Sequence, residues 1–304
     1  MLWERLHTVL SGTNWKYEII FVDDESHDNS WQLLCELQAK HPKTITAIQL
    51  MRNYGQHNAL MAGFRQAKGE LVVTMDDDLQ NPPEEIPKLL KAITENNYDL
   101  VYGIYSSKKH EKWRNVGTLL VLTFYRIVFK ANVAVTSFRV IRRNLLESIF
   151  TYNLNYTYID GLLAWNTRRI GSAEVDHLPR RDGVSGYSLS KLLLLSLNLF
   201  TNFSILPLQI VSVIGLSTAV FGFLVGAYYL LLGLLSDITV PGYASTITSI
   251  MLLGGIQLIA LGIIGEYVGR LHINVNRKPQ YTIRQIKIDE KESTLVNNKY
   301  PSHS

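Results

Sequence analysis

Cysteine is almost absent from this sequence, since Cys35 is the only one among 304 residues. A disulfide-stapled fold is therefore excluded, and a lone thiol is typical of a protein in a reducing compartment. Glycine and proline, at 20 and 9 residues, are too few for a collagen-like or low-complexity chain. Basic residues exceed acidic ones by only 30 to 26, a balance too small and too dispersed to indicate a nucleic-acid-binding protein.

Charged residues are nearly missing from one long part of the sequence. Between Leu192 and Gly265 the single charged residue is Asp237, and each half of this stretch exceeds the roughly 20 residues that span a bilayer. The pattern predicts two membrane-spanning helices, Leu208–Leu235 and Thr246–Ile264, joined by a turn near Asp237. Because no ionisable residue lies inside the spans, a transporter is disfavoured.

The charges that flank the two spans predict the orientation of the chain. The turn between the spans carries no Lys or Arg, whereas Lys191 precedes the first span and Arg270 follows the second. Because basic flanks stay in the cytosol, we expect a multi-pass protein of the inner (plasma) membrane, with both termini and the large N-terminal domain cytosolic. No signal peptide is expected, because Met1–Ser11 has the pattern of an amphipathic helix and holds Glu4 and Arg5.

These patterns divide the chain into four parts. Residues 1–184 form a domain of mixed polarity, 185–205 an interfacial helix, 206–269 the membrane hairpin, and 270–304 a cytosolic tail in which alternating apolar residues predict a short strand. Several glycines fall within the two spans. Either they let the helices pack closely or they are simply tolerated there, two interpretations of equal weight for Gly222, Gly226, Gly254, Gly255 and Gly262.

Short apolar runs alternate with helical patterns along residues 1–105. This alternation predicts an α/β fold with a mostly parallel sheet that helices cover on both faces. The predicted strands are Tyr17–Val22, Thr44–Leu50, Glu70–Met75 and Asp99–Tyr105. The predicted helices are Ser30–Ala39, Gln56–Ala67 and Pro83–Glu95.

Acidic residues follow two of these strands directly, as Asp23-Asp24 after the first and Asp76-Asp77-Asp78 after the third. In open parallel sheets ligands bind at the carboxyl ends of strands, where both acidic clusters are expected to lie. Three adjacent carboxylates repel one another, so they indicate a compensating cation. Asp76 and Asp78 can converge on one hard divalent ion, with Gln80 as a neutral oxygen ligand. The competing interpretation is a solvated acidic turn that caps the following helix.

Five strings occur in the order in which one enzyme family carries them. They are Asp23-Asp24-Glu25-Ser26, Arg52-Asn53-Tyr54-Gly55-Gln56, Met75-Asp76-Asp77-Asp78-Leu79-Gln80-Asn81-Pro82-Pro83, Ser137-Phe138-Arg139, and Gly265-Glu266-Tyr267-Val268-Gly269-Arg270. Together they resemble the family-2 inverting glycosyltransferases. The similarity is to the membrane-anchored polyprenyl-phosphate branch, which includes dolichol-phosphate mannose synthase and bactoprenol glucosyltransferase, and it covers residues 15–285.

The resemblance implies a GT-A fold, a Rossmann-like nucleotide-sugar-binding domain, and transfer of a sugar to a membrane polyprenyl phosphate with inversion. It implies Mg²⁺ or Mn²⁺ on Asp76, Asp78 and Gln80, UDP-glucose as the favoured donor, and a possible homo-oligomer. The other implied roles fall into three groups. Nucleotide-sugar contacts are implied for Asp23, Asp24, Asp76 and Asp77; acceptor-phosphate contacts for Arg139, Arg180, Arg181 and Ser185; and catalytic roles for Asp78, Arg139 and Arg180.

Two departures from the family pattern accompany this resemblance. The family opens with a strand that ends in Pro-x-Tyr/Phe-Asn-Glu, and no such segment precedes Tyr17. Either the true start of the protein lies upstream, or one central strand and part of the base pocket are missing. Gly186 stands where the branch usually has Lys, which leaves Arg181 as a substitute phosphate contact. The missing strand is the main support for an alternative function, that of a catalytically inactive, N-terminally truncated, membrane-anchored homologue that acts as an interaction partner.

His57 directly follows the second of these strings. The favoured interpretation is a histidine at a helix N-terminus that satisfies local backbone groups, and the alternative is a catalytic imidazole. The implied acceptor does not require a general base, because a phosphate monoester with a second pKa near 6 is already ionised at neutral pH.

Overall fold

The computed structural model of the protein describes residues 2–105, 135–152, 157–178, 206–235, 242–275 and 279–289. These residues form two units, an α/β unit that includes residues 279–289 and a unit of two long helices. The predicted interfacial helix over residues 185–205 lies outside the described residues.

The α/β unit has the predicted alternation of strands and helices, with ends that shift by a residue or two. Its strands are β1 (Ile19–Asp23), β2 (Ile45–Leu50), β3 (Leu71–Thr74), β4 (Leu100–Tyr105), β5 (Arg139–Arg142), β6 (Ile170–Val175) and β7 (Ile283–Lys287). Its helices are α1 (Leu2–Ser11), α2 (Ser30–Lys40), α3 (Gln56–Gln66), α4 (Ile86–Glu95), α5 (Arg143–Ile149) and α6 (Ile159–Asn166). A 3₁₀ turn over Pro83–Glu85 replaces the predicted first turn of α4.

The strands form two sheets of mixed direction, which corrects the expectation of a single, mostly parallel sheet. One sheet has the order β1-β2-β7 and the other β3-β5-β4-β6. The pairs β1–β2 and β4–β6 are parallel, whereas β2–β7, β3–β5 and β4–β5 are antiparallel. The alternation rule applied to residues 1–105 only, and β5 and β7 enter from later parts of the chain. Within the described ranges no pairing joins β1 to β3, so the sheets remain separate.

Helix α4 supplies the main apolar contact of the second sheet. Its buried residues recur at spacings of three and four and therefore share one face: Ile86, Leu89, Leu90 and Ile93. This face packs with Val101 of β4, Val140 of β5, Phe138 and Leu6 of α1 in one cluster. The cluster fixes the positions of β3 and β5. Asp76 lies just after the end of β3, and the residues before Arg139 lead into the start of β5.

Gly103 of β4 lies where a side chain would collide with this core. A Cβ atom there would lie 2.9 Å from Phe138 Cδ1 and 3.0 Å from Val175 Cγ2, and both neighbours are buried. We expect overpacking in Gly103→Ala to lower the free energy of unfolding by about 1–3 kcal/mol, measured by thermal unfolding in detergent. Gly12→Ala is the matched control, because its Cβ would make contacts of 3.6 Å only. Equal losses in both variants would contradict the packing argument.

Residues 279–289 complete the first sheet, which confirms the strand predicted in the tail. β7 pairs with the edge of β2, and its Ile283 and Ile286 pack on the cluster beneath α3. Just before β7 the Thr282 carbonyl accepts the Met51 N–H at 2.9 Å, and Arg284 donates to the Met51 carbonyl at 2.8 Å. The tail therefore holds the start of the loop between β2 and α3.

The second unit consists of α7 (Leu206–Leu235) and α8 (Tyr243–Val275). Each is long and apolar enough to cross a membrane over Leu208–Tyr228 and Leu252–Gly269, which overlap the predicted spans. A Cβ built on each of the five glycines noted above meets no atom within 4 Å. Within the described part of the chain these glycines make no close helix contact, so the interpretation that they are simply tolerated fits the structure better.

Candidate active site

The loop between β2 and α3, residues 51–55, connects the two acidic strand ends. The carboxylate of Asp24 accepts hydrogen bonds from the backbone N–H groups of Tyr54 and Gly55, each at 2.8 Å. Gln56, the first residue of α3, donates from Nε2 to Asp76 Oδ1 at 2.6 Å. The structure therefore brings Asp24 and Asp76, from two different strand ends, to adjacent residues where this loop meets α3, as the strand-end argument predicts.

The acidic residues after β1 have different surroundings. Asp23 is buried, and its two oxygens accept the Ser26 N–H and the Gln49 side-chain amide, both at 3.1 Å. This placement favours a structural role for Asp23 over the predicted contact with the nucleotide. Asp24 is only half-buried, and its carboxylate binds the neighbouring loop. Its partial exposure leaves it accessible to a ligand, so the nucleotide contact of Asp24 stays a prediction.

Glu25 follows these two residues in a strained backbone conformation. Its φ of 63° lies in the left-handed region, which costs a residue other than glycine about 1–2 kcal/mol. The Glu25 carboxylate accepts the Asn53 N–H at 3.1 Å and pairs with Arg284 at 3.5 Å. These contacts hold the strained turn against the loop of residues 51–55, and such strain is common at functional sites.

The turn after Asp76 presents the other predicted ligands of the metal. Asp77 is exposed, and Asp78 and Gln80 are half-buried. Asp78 Oδ1 accepts the backbone N–H of Gln80 at 3.1 Å, a local turn that aspartate commonly makes. Leu79 between them has a φ of 58°, so this turn is also strained.

Tyr105, at the end of β4, closes one side of the acidic turn. Its hydroxyl donates to Asn81 Oδ1 at 2.8 Å. Burial raises the pKa of Tyr105, and the negative charges of Asp76 and Asp78 raise it further. The Tyr105 hydroxyl therefore lies within the field of both carboxylates and stays protonated at neutral pH.

The segment after β6 lies against the same turn. The His177 ring contacts the Tyr105 ring in a tilted arrangement, with a centroid separation of 4.1 Å and an angle of 33° between the planes. The Leu178 N–H donates to the Gln80 carbonyl at 2.9 Å. Leu178 is the last described residue before the predicted acceptor-binding segment. The acceptor residues predicted there lie outside the described residues: Arg180, Arg181 and Ser185.

The predicted metal site depends on the chemistry of its donor set. In the described part of the chain no three His, Cys, Asp or Glu side chains are grouped closely enough to hold a metal ion. The predicted set instead combines two carboxylates, Asp76 and Asp78, with the amide oxygen of Gln80. These hard oxygen donors suit Mg²⁺ or Mn²⁺, which commonly keep the remaining positions for water and substrate phosphates. The residues therefore fit an ion shared between the protein and a diphosphate.

Arg139 is placed in the core rather than at an open surface. It is 1% exposed at the start of β5, and its guanidinium forms an ion pair with Asp160 of α6. Asp160 also accepts the Tyr102 hydroxyl at 2.8 Å. Burial alone would lower the pKa of Arg139, but the Asp160 carboxylate raises it on balance, so the guanidinium stays charged. The geometry favours a structural ion pair, and the phosphate contact of Arg139 stays a prediction.

His57 lies beside this ion pair. Its ring meets the Tyr158 ring edge-on at 5.4 Å, and its Nδ1 is buried with no hydrogen-bond partner among the residues that the structure describes. The expectation that this histidine satisfies local backbone groups is therefore wrong for Nδ1. Burial lowers the pKa of His57; the charge of Asp160 opposes this shift and that of Arg139 adds to it.

The lowered pKa of His57 predicts a pH-dependent stability. Near pH 7.5 the imidazole is largely neutral in both states, so it adds little to the free energy of unfolding. Below the ordinary histidine pKa of about 6.5 the unfolded chain gains a proton that the folded chain resists, so stability falls. We expect the melting temperature of the wild type minus that of His57→Gln to decrease from about pH 7.5 to about pH 5.5. A difference that does not change with pH would contradict this assignment.

Three side chains that shape the site had no role assigned from the sequence: Gln56, Tyr105 and Ser137, whose hydroxyl donates to Asp76 Oδ2 at 2.5 Å. Gln56 and Ser137 lie within the quoted strings, so their positions were signalled although their contacts were not. Tyr105 carries no sequence signal beyond its place at a strand end. Its role depends on Asn81 and the acidic turn, which are distant from it along the chain.

Known proteins resemble this chain in sequence. A family model described as glycosyl transferase family 2 matches residues 1–150. The chain is 34% identical over 290 residues to an undecaprenyl-phosphate 4-deoxy-4-formamido-L-arabinose transferase of Serratia proteamaculans, covering 94% of this chain and 88% of that protein. It is 36% identical over 276 residues to the Proteus mirabilis protein of the same name, covering 89% and 84%.

Among solved structures, the chain aligns with glucosyl-3-phosphoglycerate synthase from Mycobacterium tuberculosis in complex with Mn²⁺, uridine-diphosphate and glucosyl-3-phosphoglycerate. The TM-score is 0.46 at 17% identity, over 65% of this chain and 73% of that chain. The family assignment rests instead on the sequence relatives, whose similarity extends over most of both chains. The chain, with Asp24 beside the loop of residues 51–55 and the acidic turn at Asp76–Asp78, belongs to glycosyltransferase family 2.

Proposed function

We propose that this glycosyltransferase transfers a sugar from a nucleotide-sugar donor to a membrane polyprenyl phosphate, with inversion at the anomeric carbon. The observation that carries the proposal is the 34% identity, over 94% of the chain, to a protein named as an undecaprenyl-phosphate transferase. A match of this length includes both the acidic turn and the apolar helices. The acidic turn suits an ion bound to a donor diphosphate, and the apolar helices suit a lipid acceptor.

The chemistry of such a transfer requires little proton handling by the protein. An oxygen of the acceptor phosphate forms a bond to the anomeric carbon, while the bond from that carbon to the diphosphate breaks. The electron pair of the broken bond leaves with the nucleoside diphosphate. Attack on the face opposite the leaving group inverts the configuration. The protein must therefore align two anionic substrates and balance their charges.

The described residues support a division of these tasks. Asp76, Asp78 and Gln80 would hold Mg²⁺ or Mn²⁺, whose charge stabilises the departing diphosphate. Asp24 orders the loop of residues 51–55 beside them, which suits a role in donor binding. Positive charge for the acceptor is predicted at Arg180 and Arg181, with Ser185 as a further contact.

The charge distribution supports a location for this reaction. Lys191 and Arg270 flank the apolar helices, so the protein is proposed to be a multi-pass inner-membrane protein with its catalytic domain in the cytosol. There the donor would be a soluble cytosolic nucleotide sugar. Assembly as a homo-oligomer stays a prediction from the family resemblance.

The identity of the transferred sugar is the most specific part of the proposal. The relatives are named for 4-deoxy-4-formamido-L-arabinose, whereas the sequence resemblance favoured glucose from UDP-glucose. Because the sequence identity to these relatives extends over most of the chain, we propose the nucleotide conjugate of 4-deoxy-4-formamido-L-arabinose as the first donor to test. UDP-glucose is the second donor, and its use stays a prediction.

The proposal is tested by lipid labelling. Membranes that contain the protein are given undecaprenyl phosphate, Mg²⁺ and a radiolabelled UDP-sugar, and chloroform-soluble label is measured over time. We expect label from one of the two donors, above the level in membranes that contain the Asp78→Ala variant. Absence of lipid label with every common nucleotide sugar would overturn the proposal. That result would favour the alternative of a non-catalytic membrane-anchored partner.

A further inference from the structure

We infer that Gln56 and Ser137 are positioning residues that set the carboxylate of Asp76 for its divalent ion. The inference rests on the proposed function, because it takes Asp76 as a metal ligand. Gln56 begins α3, whereas Ser137 precedes β5, so the two residues approach Asp76 from different parts of the fold. Neither residue was assigned a role from the sequence.

The two hydrogen bonds reach different oxygens of the same carboxylate. Gln56 Nε2 donates to Oδ1 at 2.6 Å, and the Ser137 hydroxyl donates to Oδ2 at 2.5 Å. A carboxylate offers about four acceptor positions, two on each oxygen. These two bonds therefore fix the plane of the Asp76 carboxylate and leave further lone pairs available for a cation.

Ser137 is itself held in place by the core. Its carbonyl accepts the Thr74 hydroxyl at 2.6 Å, and Thr74 ends the strand that leads to Asp76. The next two residues, Phe138 and Arg139, are 0% and 1% exposed. The Ser137 hydroxyl is thus attached to a fully buried part of the second sheet, which suits a fixed position for the Asp76 carboxylate.

Gln56 is attached to the donor side of the site. It follows Gly55, whose φ of 85° is a conformation that glycine adopts readily, and the Gly55 N–H is bound by Asp24. A shift of the loop of residues 51–55 would therefore move the Gln56 amide together with the start of α3. Through Gln56 the orientation of Asp76 is linked to the loop that the proposed function assigns to the donor.

The exposure of Gln56 separates a positioning role from a stabilising one. Its side chain is exposed on the first turn of α3, where water replaces a lost hydrogen bond at little cost to folding. In metal sites, by contrast, mutation of a residue that hydrogen-bonds to a metal ligand typically lowers the metal affinity by about 10–100-fold. A change in ion affinity without a change in stability is therefore the expected signature.

The test measures the binding of Mn²⁺ to the full-length protein in detergent, with UDP present, by isothermal titration calorimetry. We expect Gln56→Ala and Ser137→Ala to weaken Mn²⁺ binding by about 10–100-fold, and Gln56→Ala to keep the wild-type melting temperature without the ion. Gln66→Ala, at the other end of α3, is the matched control and is expected to bind Mn²⁺ as the wild type does. Ser137→Thr retains a hydroxyl and is expected to restore part of the affinity.

The outcomes separate this inference from the proposed function. Unchanged Mn²⁺ affinity in Gln56→Ala and Ser137→Ala, with the wild type binding normally, would overturn the inference alone. Failure of the wild type to bind Mn²⁺ with UDP would overturn both the inference and the metal assignment, while lipid labelling would still test the transfer. An equal loss in Gln56→Ala and Gln66→Ala would show a general effect on α3 and would also overturn it. If Ser137→Ala does not fold, Gln56→Ala decides the question.

Discussion

Replacement of Asp78 by alanine is expected to abolish sugar transfer, with kcat/KM lower by at least about 10³-fold. A divalent ion contributes several kcal/mol of charge stabilisation to a departing diphosphate, and each 1.36 kcal/mol corresponds to about tenfold in rate. Asp78 is one of the two carboxylates in the proposed set, so its loss leaves the ion with Asp76 and Gln80 only. The measurement is the initial rate of lipid labelling as a function of Mg²⁺ or Mn²⁺ concentration.

The control for this experiment removes a carboxylate elsewhere. Glu36→Gln neutralises an exposed acid on α2 and is expected to leave both the rate and the metal dependence unchanged. Activity in Asp78→Ala at the wild-type level, with an unaltered metal requirement, would remove the metal assignment. A large loss that high metal concentration reverses would place Asp78 at the ion but show that the remaining ligands still bind it.

Removal of the Asp160 carboxylate is expected to lower the free energy of unfolding more than any of the other single substitutions proposed for this protein. In Asp160→Ala the Arg139 guanidinium would stay fully buried without its counter-charge, and breaking a buried pair in this way costs about 3–5 kcal/mol. The hydrogen bond from the Tyr102 hydroxyl to Asp160 would be lost as well. Thermal or urea unfolding in detergent measures the effect, and a loss no larger than that of an exposed carboxylate would contradict the burial of the pair.

A double variant separates the structural role of this pair from a catalytic one. Arg139→Met combined with Asp160→Leu replaces both charges by apolar side chains and is expected to recover most of the lost stability, because apolar replacements of buried ion pairs are often neutral or stabilising. If the folded double variant still transfers sugar to lipid, the predicted phosphate contact of Arg139 is wrong. If it folds but transfers nothing, the contact is supported in spite of the burial seen here.

The local elements of this fold were largely predictable from the sequence. The period of the apolar residues and the acids that follow β1 and β3 are properties of neighbouring residues. Within residues 1–105 they placed four strands and three helices, with ends that differ from the observed ones by three residues or fewer. The two apolar helices were equally predictable, because the absence of charge over more than 20 residues is itself the physical requirement for spanning a bilayer. The placement of Asp24 and Asp76 at one loop followed from the same reasoning.

The pairing of distant residues was decided by the tertiary structure alone. Whether Arg139 faces a ligand or the core depends on Asp160 and Tyr102, which reach it through β4 and α6 and leave no periodic mark in the sequence. The same holds for the hydrogen bonds of Gln56 and Ser137 to Asp76, and for the antiparallel pairing of β5 with β3 and β4 and of β7 with β2. Local sequence determined which segments become strands, helices and acidic turns, because those depend on contacts between near neighbours. The partners of the charged side chains depend on contacts between segments that are far apart in the chain, and only the folded protein brings these together.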